Sequence, residues 1–401
     1  MGMHPFFYQV IAMNYNFFAP QQICFGWGRF QETGDLAASL GTRAFIINGS
    51  RSLESSGVIE ELRQLLSRAS IKSEFIRTIS NEPEVSDVDQ TTNLLRHWGA
   101  GAGDFLIGIG GGSGIDLAKA ASAMITNQES DTVLDYLEGV GRGLKLTESP
   151  LPLLAIPTTA GTGSEATKNA VISSYAPPFK KSLRAEEMIP DIVLCDPQLA
   201  CSVPPEITAR TGMDAITQLL ESYISCRAQP IPQALCLQGL KLAIPALPEA
   251  VENGNSRRGR EAMAHAALLS GIALANSGLG MAHGVAPALG IHCKISHGLA
   301  CAMMLPATLQ ANLSVRQQEY GEIYRFLYPD QTLSVEQAAE SLITEIQQLN
   351  DRIHIPRRLS EVGVSQAQIP DLVASSRGNS MSGNPRQIPD GELTQILESL
   401  L

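Results

Sequence analysis

The sequence lacks any CxxC pair, and its seven cysteines, at 24, 195, 201, 226, 236, 293 and 301, are scattered and odd in number. That excludes a disulfide framework of the small secreted kind and predicts reduced, mostly buried thiols in a cytoplasmic protein. Basic runs are missing too. With 29 basic and 40 acidic residues the formal charge is −11, which argues against a nucleic-acid-binding face. No apolar run reaches the roughly 18 residues that a membrane span needs. The opening MGMHPFFYQVIAMNYNFF is apolar but has neither the basic flank nor the small-residue cleavage site of a signal peptide, so residues 1–20 read as a leader of undetermined order. Internal repeats and low-complexity linkers are absent. What remains is 401 residues, enough for two or three domains with sizeable cores.

From Arg43 the chain alternates β-rich runs with helical patterns. RAFIIN (43–48), IKSEFI (71–76), DFLIGIG (104–110), LPLLAIP (151–157) and DIVLCD (191–196) are strand candidates, with helices expected over 56–69 and 87–98. Strands separated by helices predict βαβ units and a mostly parallel sheet. After Pro204-Pro205 only helical periodicity remains, at roughly 206–225, 231–252, 257–276, 312–327, 335–349 and 390–401. The boundary is expected in the passage 196–205, dividing an α/β unit (1–200) from an all-α unit (201–401).

Two donor-rich turns follow strands of the first half. GIGGGSGIDLAK (108–119) passes through Gly110, Gly111 and Gly112 into a helix whose free N–H groups and dipole suit a pyrophosphate. Ser113 adds a hydroxyl and Lys119 lies one to two turns on; a plain tight turn explains the glycines equally well. The run 157–165 offers Thr158, Thr159, Thr162 and Ser164 for phosphate, ribose or amide recognition, or simply as a helix cap. Ligands of such folds bind beyond the carboxyl ends of neighbouring strands.

The stretch from Thr211 to His297 carries the metal chemistry. Asp214 and Gln218 stand four residues apart on one helical face, and His283 and His297 flank a Gly/Pro-broken apolar segment. One carboxylate oxygen, one amide oxygen and two imidazoles suit Fe2+ or Zn2+ better than Ca2+, and the set contains no thiolate of the structural-zinc kind. The alternative is four separately satisfied polar groups. Glu221 is either a partner of this set or a surface charge, and His265 reads as a packed core histidine. The stretch 182–191 reads as a solvated loop.

The ordered set GGGSGIDLAK (110–119), PTTAGTGSEATKNAVI (157–172), PDIVLCDP (190–197), TGMDAITQLLESYIS (211–225), GLGMAHGVAPALG…SHG (278–298) and SGNPRQIPDGEL (382–393) resembles the iron-containing (group III) alcohol dehydrogenases. The superfamily also holds glycerol dehydrogenase and dehydroquinate synthase. The resemblance implies a dehydroquinate synthase-like architecture: an N-terminal dinucleotide-binding α/β domain, a helical C-terminal domain and a metal in the cleft between them. It implies metal ligation by Asp214, Gln218, His283 and His297, with Asp214, His283 and His297 as the catalytic set. Cofactor binding falls on Gly49, Gly111, Gly112, Ser113, Asp116, Thr158, Thr159, Thr162 and Lys181. The cofactors implied are Fe2+ or Zn2+ and NAD or NADP, and the reaction is hydride transfer between a nicotinamide and an alcohol or aldehyde carbon. The apolar C-terminal helices point to a homodimer or larger homo-oligomer.

Three positions depart from that pattern. Gln218 stands where many relatives have histidine, and a neutral amide is the weaker ligand. Pro287 replaces a cleft histidine, with His292 as a substitute or a surface residue. Gly49 replaces an acidic residue that would repel a 2′-phosphate, and Ser50 and Arg51 stand beside it. The first two keep a metal-independent reductase of the maleylacetate type as an alternative. A dehydroquinate synthase-like lyase and a decayed nucleotide-binding sensor are the others.

Overall fold

Unbroken apolar character in RAFIIN and DFLIGIG requires strands covered on both faces, and both become central strands of a parallel sheet. The computed structural model describes residues 14–401; the leader expected over 1–20 lies outside these as far as residue 13. Its last residues run without regular structure, and Phe18 exchanges backbone hydrogen bonds with the Asn276 side chain at 2.6 and 2.7 Å.

The strands are β1 (Gln22–Phe25), β2 (Arg43–Asn48), β3 (Lys72–Thr78), β4 (Asp104–Gly110), β5 (Leu153–Pro157), β6 (Asn169–Tyr175), β7 (Pro178–Arg184) and β8 (Ile192–Cys195). Six of them form one all-parallel sheet in the order β1-β8-β5-β4-β2-β3, while β6 and β7 pair as a separate antiparallel hairpin. The helices of this half are α1 (Thr33–Ala37), α2 (Arg51–Ser55), α3 (Val58–Arg68), α4 (Val85–His97) and α5 (Gly112–Thr126). From Pro205 every regular element is helical: α6 (Pro205–Ile224), α7 (Pro230–Glu252), α8 (Arg257–Ser277), α9 (Met281–Cys293), α10 (His297–Leu327), α11 (Val335–Arg352), α12 (Ile369–Ser375) and α13 (Asp390–Ser399), with short 3-10 turns between. The fold is therefore a parallel six-stranded sheet unit followed by a helical one.

Four sequence expectations are corrected. The hairpin β6–β7 and the edge strand β1 were not foreseen, and Ser182–Arg184 is strand rather than solvated loop. Gly284, Pro287 and Gly290 do not break the 281–293 segment, because burial of most of α9 from Met281 to Leu289 outweighs their poor helix propensity. Helix α10 begins at His297 rather than near 312, and a local break at Arg316 (φ −132°) marks where its second half starts. Finally, α7 and α10 do have the length and apolarity of a membrane span. Gln238 and Lys241 interrupt the run in α7, which hid it from a search for unbroken hydrophobicity. Those apolar residues enter the helical core, with Leu240, Ile244 and Leu247 of α7 and Met303, Leu305 and Leu309 of α10 fully covered or nearly so.

The sheet's strand order reverses at β2 and β4, since β3 continues outward from β2 while β4 lies on its other side. Dinucleotides bind at the carboxyl ends of the strands at such a switch point. Here glycines pack backbone against backbone because nothing larger fits. A Cβ on Gly110 would stand 2.6 Å from the Gly49 Cα, and one on Gly114 would stand 2.7 Å from it.

That contact sets up a test with opposed terms. Gly114→Ala in a helix would normally gain about 1 kcal/mol from propensity. The backbone clash should cost about 1–3 kcal/mol and reverse the sign. Denaturant melting of the variant should show net destabilisation together with weakened dinucleotide binding; a more stable protein would mean that the strand end yields.

Candidate functional site

Helix α6 presents Asp214, Gln218 and Glu221 on one buried face at i, i+4 and i+7. Helices α9 and α10 bring His283 and His297 against it. His283 Nε2 lies 3.1 Å from Asp214 Oδ1, and His297 Nε2 lies 3.8 Å from the same oxygen. The two rings meet edge-on, with centroids 5.4 Å apart. Sequence reasoning left one member of this cluster out. Cys301 is one turn beyond His297 on α10, fully buried, with its Sγ 3.7 Å from His297 Nε2. Asp214, His283, His297 and Cys301 each place one donor atom within 4.8 Å of all the others. The HxxxC spacing at 297–301 was the available signal.

Glu221, whose role the sequence left open, is fully buried. It accepts hydrogen bonds from His283 Nδ1 at 2.7 Å and from the backbone N–H groups of Ala282 (2.7 Å) and His283 (3.3 Å). Asn384 Oδ1 accepts from the Met281 N–H at 3.2 Å. The N-terminus of α9 thus has its free amides satisfied and a carboxylate on its positive end. One side chain sets both the helix and the imidazole, and the Nδ1 contact leaves Nε2 to face Asp214.

The electrostatics are those of a crowded buried site. Burial opposes protonation of His283, but Cys301, Asp214 and Glu221 outweigh it and hold its pKa well above the usual imidazole value. Burial would raise the Asp214 carboxyl, yet His297 and His283 keep it below the usual range. Burial pushes His297 down to about 4 against the pull of Asp214, and pushes the Cys301 thiol up to about 12.

Gln218 is in place beside this cluster, but both ends of its amide are engaged. Its Oε1 accepts from Ser270 Oγ at 2.7 Å, and its Nε2 donates to the Thr162 carbonyl at 3.2 Å. The second bond crosses from α6 to the threonine turn of the α/β unit.

That turn is clamped from behind. Lys119 is fully buried and donates to the Ser164 carbonyl (2.8 Å), to Thr167 Oγ1 (2.8 Å) and to the Asn169 carbonyl. Its ammonium holds the loop instead of reaching toward a phosphate. Asp116 accepts from Ser164 Oγ and from the Val171 N–H at 3.0 Å. Thr158 bonds the Gly110 carbonyl through its N–H at 2.9 Å; a Cβ on Gly111 would come 3.2 Å from Thr159 Oγ1, and one on Gly112 would come 2.8 Å from Thr162 Oγ1.

A cleft of about 570 Å³ joins the two halves of the site. Gly112, Ser113, Asp116, Thr162 and Lys181 line it on one side, and Asp214, Gln218, His283 and His297 on the other. Gly49, Gly111, Thr158 and Thr159 are not on its wall. Lys180 lines it as well, paired with Glu82 at 2.6 Å. Pro287 lines the cleft at its own position, and His292 Nε2 lies 2.8 Å from Oγ of Ser375, another lining residue. His265 packs on Phe25 with ring centroids 5.0 Å apart and takes no part.

The donor cluster fits a divalent cation. Two nitrogen or oxygen ligands about 2.1 Å from one tetrahedral ion lie about 3.4 Å apart, and a nitrogen and a sulfur ligand lie about 3.6 Å apart. The separations of 3.1, 3.8 and 3.7 Å around Asp214, His283, His297 and Cys301 bracket those spans. The glycine turn fits a dinucleotide for the same kind of reason, since α5 begins at Gly112 with no side chain over its first amides.

A parallel sheet with a glycine turn at its switch point, facing a helical unit that gathers cation donors, is the arrangement of a nucleotide-dependent, metal-assisted enzyme. The description "Iron-containing alcohol dehydrogenase" matches residues 20–197, and "Fe-containing alcohol dehydrogenase family, C-terminal" matches residues 208–401. The NAD-dependent methanol dehydrogenase of Bacillus methanolicus is 31% identical over 390 residues, which are 96% of this chain and 100% of that protein. A 1,3-propanediol oxidoreductase crystal structure superposes with TM-score 0.90 at 28% identity, covering 97% of this chain and 100% of that one. The sulfoacetaldehyde reductase of Bifidobacterium kashiwanohense, solved in complex with NAD+, gives TM-score 0.86 at 29% identity over 97% of this chain and 99% of that one.

The chain belongs to the iron-containing alcohol dehydrogenase family. It is an NAD(P)-dependent alcohol oxidoreductase, and neither the lyase nor the metal-independent alternative is supported by these relatives.

The threonine turn also carries a stability switch. Glu165 is fully buried, and burial lifts its carboxyl from 4.5 to about 7. The folded state therefore holds a proton that the unfolded chain releases near 4.5, and this contribution is complete below that pH and lost as pH rises through about 7. The size is about 3 kcal/mol at ~1.4 kcal/mol per unit. Glu165→Gln should gain thermal stability relative to the parent between pH 5 and pH 8; parallel melting curves at both pH values would remove the assignment.

Proposed function

We propose that this protein interconverts small alcohols and aldehydes, with Asp214, His283 and His297 holding a divalent cation and the glycine and threonine turns holding the dinucleotide. The observation that carries this reading is the convergence of both imidazoles on one Asp214 oxygen, at 3.1 and 3.8 Å, on the wall of the nucleotide-side cleft. The cofactor side consists of Gly49, Gly111, Gly112, Ser113, Asp116, Thr158, Thr159, Thr162 and Lys181, and Gln218 ties it to the cation side. The two functional units are residues 1–200 and 201–401, in keeping with the change from strands to helices between Cys195 and Pro205.

A bound Fe2+ or Zn2+ supplies Lewis-acid polarisation of the substrate oxygen, favouring an alkoxide near neutral pH. A bound nicotinamide supplies the hydride acceptor or donor. The chain's own residues do the rest. Glu221 retains the proton on His283 Nδ1, so the proton that leaves to open the site for a cation is the one on Nε2. Asp214, itself almost fully buried, offsets the cation's charge at the wall of the cleft. Ser113 and the first amides of α5 receive the pyrophosphate, and the clamp of Lys119 on the 164–169 loop keeps the threonine turn rigid behind it.

Nothing at Gly49 repels a 2′-phosphate, while Glu54 bonds Asn48 at 3.1 Å close by. Both NAD and NADP therefore belong to the proposal. Seven unpaired cysteines favour a reducing compartment, the cytoplasm. Exposed Ile207, Ile231, Val315 and Phe326 on α6, α7 and α10 favour a homo-oligomer, and light scattering at micromolar concentration should give a mass above that of one chain.

The deciding experiment is metal analysis of purified protein combined with NADH and NADPH oxidation by an aldehyde panel. Chelation should abolish turnover, and readdition of Fe2+ or Zn2+ should restore it. Asp214→Ala should remove both metal and activity with the fold intact, and Glu221→Gln should weaken the cation by about 10–100-fold. Turnover that survives in Asp214→Ala would sink the reading.

A further inference from the structure

Gln218 on α6 and Cys301 on α10 are in different states of engagement. The Gln218 amide is held at both ends, by Ser270 Oγ at 2.7 Å and by the Thr162 carbonyl at 3.2 Å. Exchanging its oxygen and nitrogen would set an oxygen against the Thr162 carbonyl, so the orientation is fixed. Turning the carbonyl to a cation would take the Nε2 donor from the part-buried Thr162 carbonyl, while Ser270 Oγ would keep the Ala267 carbonyl as its acceptor at 2.8 Å. The Cys301 thiol, in contrast, already faces the donors. Its Sγ is 3.7 Å from His297 Nε2, close to the span of about 3.6 Å for a nitrogen and a sulfur on one tetrahedral ion. His297 and Cys301 are i and i+4 of the same helix, so both reach the cluster from one face of α10.

We propose that Cys301, rather than Gln218, completes the donor set with Asp214, His283 and His297, and that this chain consequently takes Zn2+ in preference to Fe2+. Thiolate is the softer donor, and among the common first-row dications a mixed sulfur, nitrogen and oxygen tetrahedron suits zinc. On binding, the S–H bond breaks, a bond from sulfur to the cation forms and the proton leaves to solvent, with no change of oxidation state. Gln218 then acts as a positioning residue that ties α6 to the threonine turn. The inference rests on the cluster being a cation site at all.

The test uses full-length protein stripped of metal and titrated with Co2+ and with Zn2+ in competition with a chromophoric chelator. The parent and Gln218→Ala should both show a sulfur-to-cobalt charge-transfer band in the near ultraviolet. Cys301→Ser should lose the band and bind Zn2+ at least ~100-fold more weakly, beyond the ~10–100-fold that a lost outer partner costs. Co2+ bound by the parent without a sulfur band overturns the Cys301 assignment and leaves the cation site standing. Unchanged zinc affinity in Cys301→Ser, or a Gln218→Ala that loses it, does the same. Failure of the parent to take up either ion overturns both readings. Circular dichroism checks the fold of each variant, and the parent's spectrum decides alone where Cys301→Ser does not fold.

Discussion

The carboxylate of Glu221 is the constraint from which the site follows. A fully buried charge is tolerated only where it is paired and hydrogen-bonded, and this one has three donors: two amides at the start of α9 and the Nδ1 of His283. The same group therefore fixes where α9 begins, which way its first imidazole points, and how α6 and α9 cross. Gly280 permits the approach, since a Cβ there would fall 2.9 Å from Glu221 Oε1. Asp214 lies two turns earlier on α6 and receives the imidazole's other nitrogen. The carboxylate–imidazole–carboxylate line is thus built by two helices and needs no loop.

The nucleotide side is built on the opposite principle, by removing side chains. Gly49, Gly110 and Gly114 let a strand end and a helix start approach to a distance that no Cβ permits. The threonine turn facing them would be a flexible loop but for Lys119, whose ammonium collects acceptors from residues 164–169. A buried ammonium is costly unless so paired, and here the pairing gives a rigid floor to the cleft.

The sequence made most of this architecture readable, for reasons that differ by element. β2 and β4 are unmistakable because a parallel strand buried on both faces needs a continuous apolar run. The β6–β7 hairpin is hidden because its strands are only partly covered and KKSLR looks like surface. Helix α9 reads as a broken segment because local propensity and tertiary burial disagree, and burial prevails. At the site, helical spacing places Asp214 and Gln218 on one face, and the two histidines were named from the chain. The direction of the Gln218 amide was beyond reach, because it is set by Ser270 and Thr162, which are 52 and 56 residues away. Cys301 escaped notice for the simpler reason that a lone cysteine carries no pattern until its neighbour four residues back is known to be a donor.

Those last two residues belong to one argument. Two helices each offer the cluster a pair at i and i+4: Asp214 with Gln218 on α6, and His297 with Cys301 on α10. A four-coordinate ion needs only one of the two outer members in addition to Asp214, His283 and His297. An amide is suited to the tie that Gln218 makes, since its carbonyl and its N–H groups sit on one planar carbon and can serve two partners at once. On the proposed reading, the position that could have held the ion on α6 instead joins the helical unit to the nucleotide side, and α10 supplies the missing donor. The resulting site is softer, and its α6 wall is fastened to the turn beside the nucleotide-side cleft.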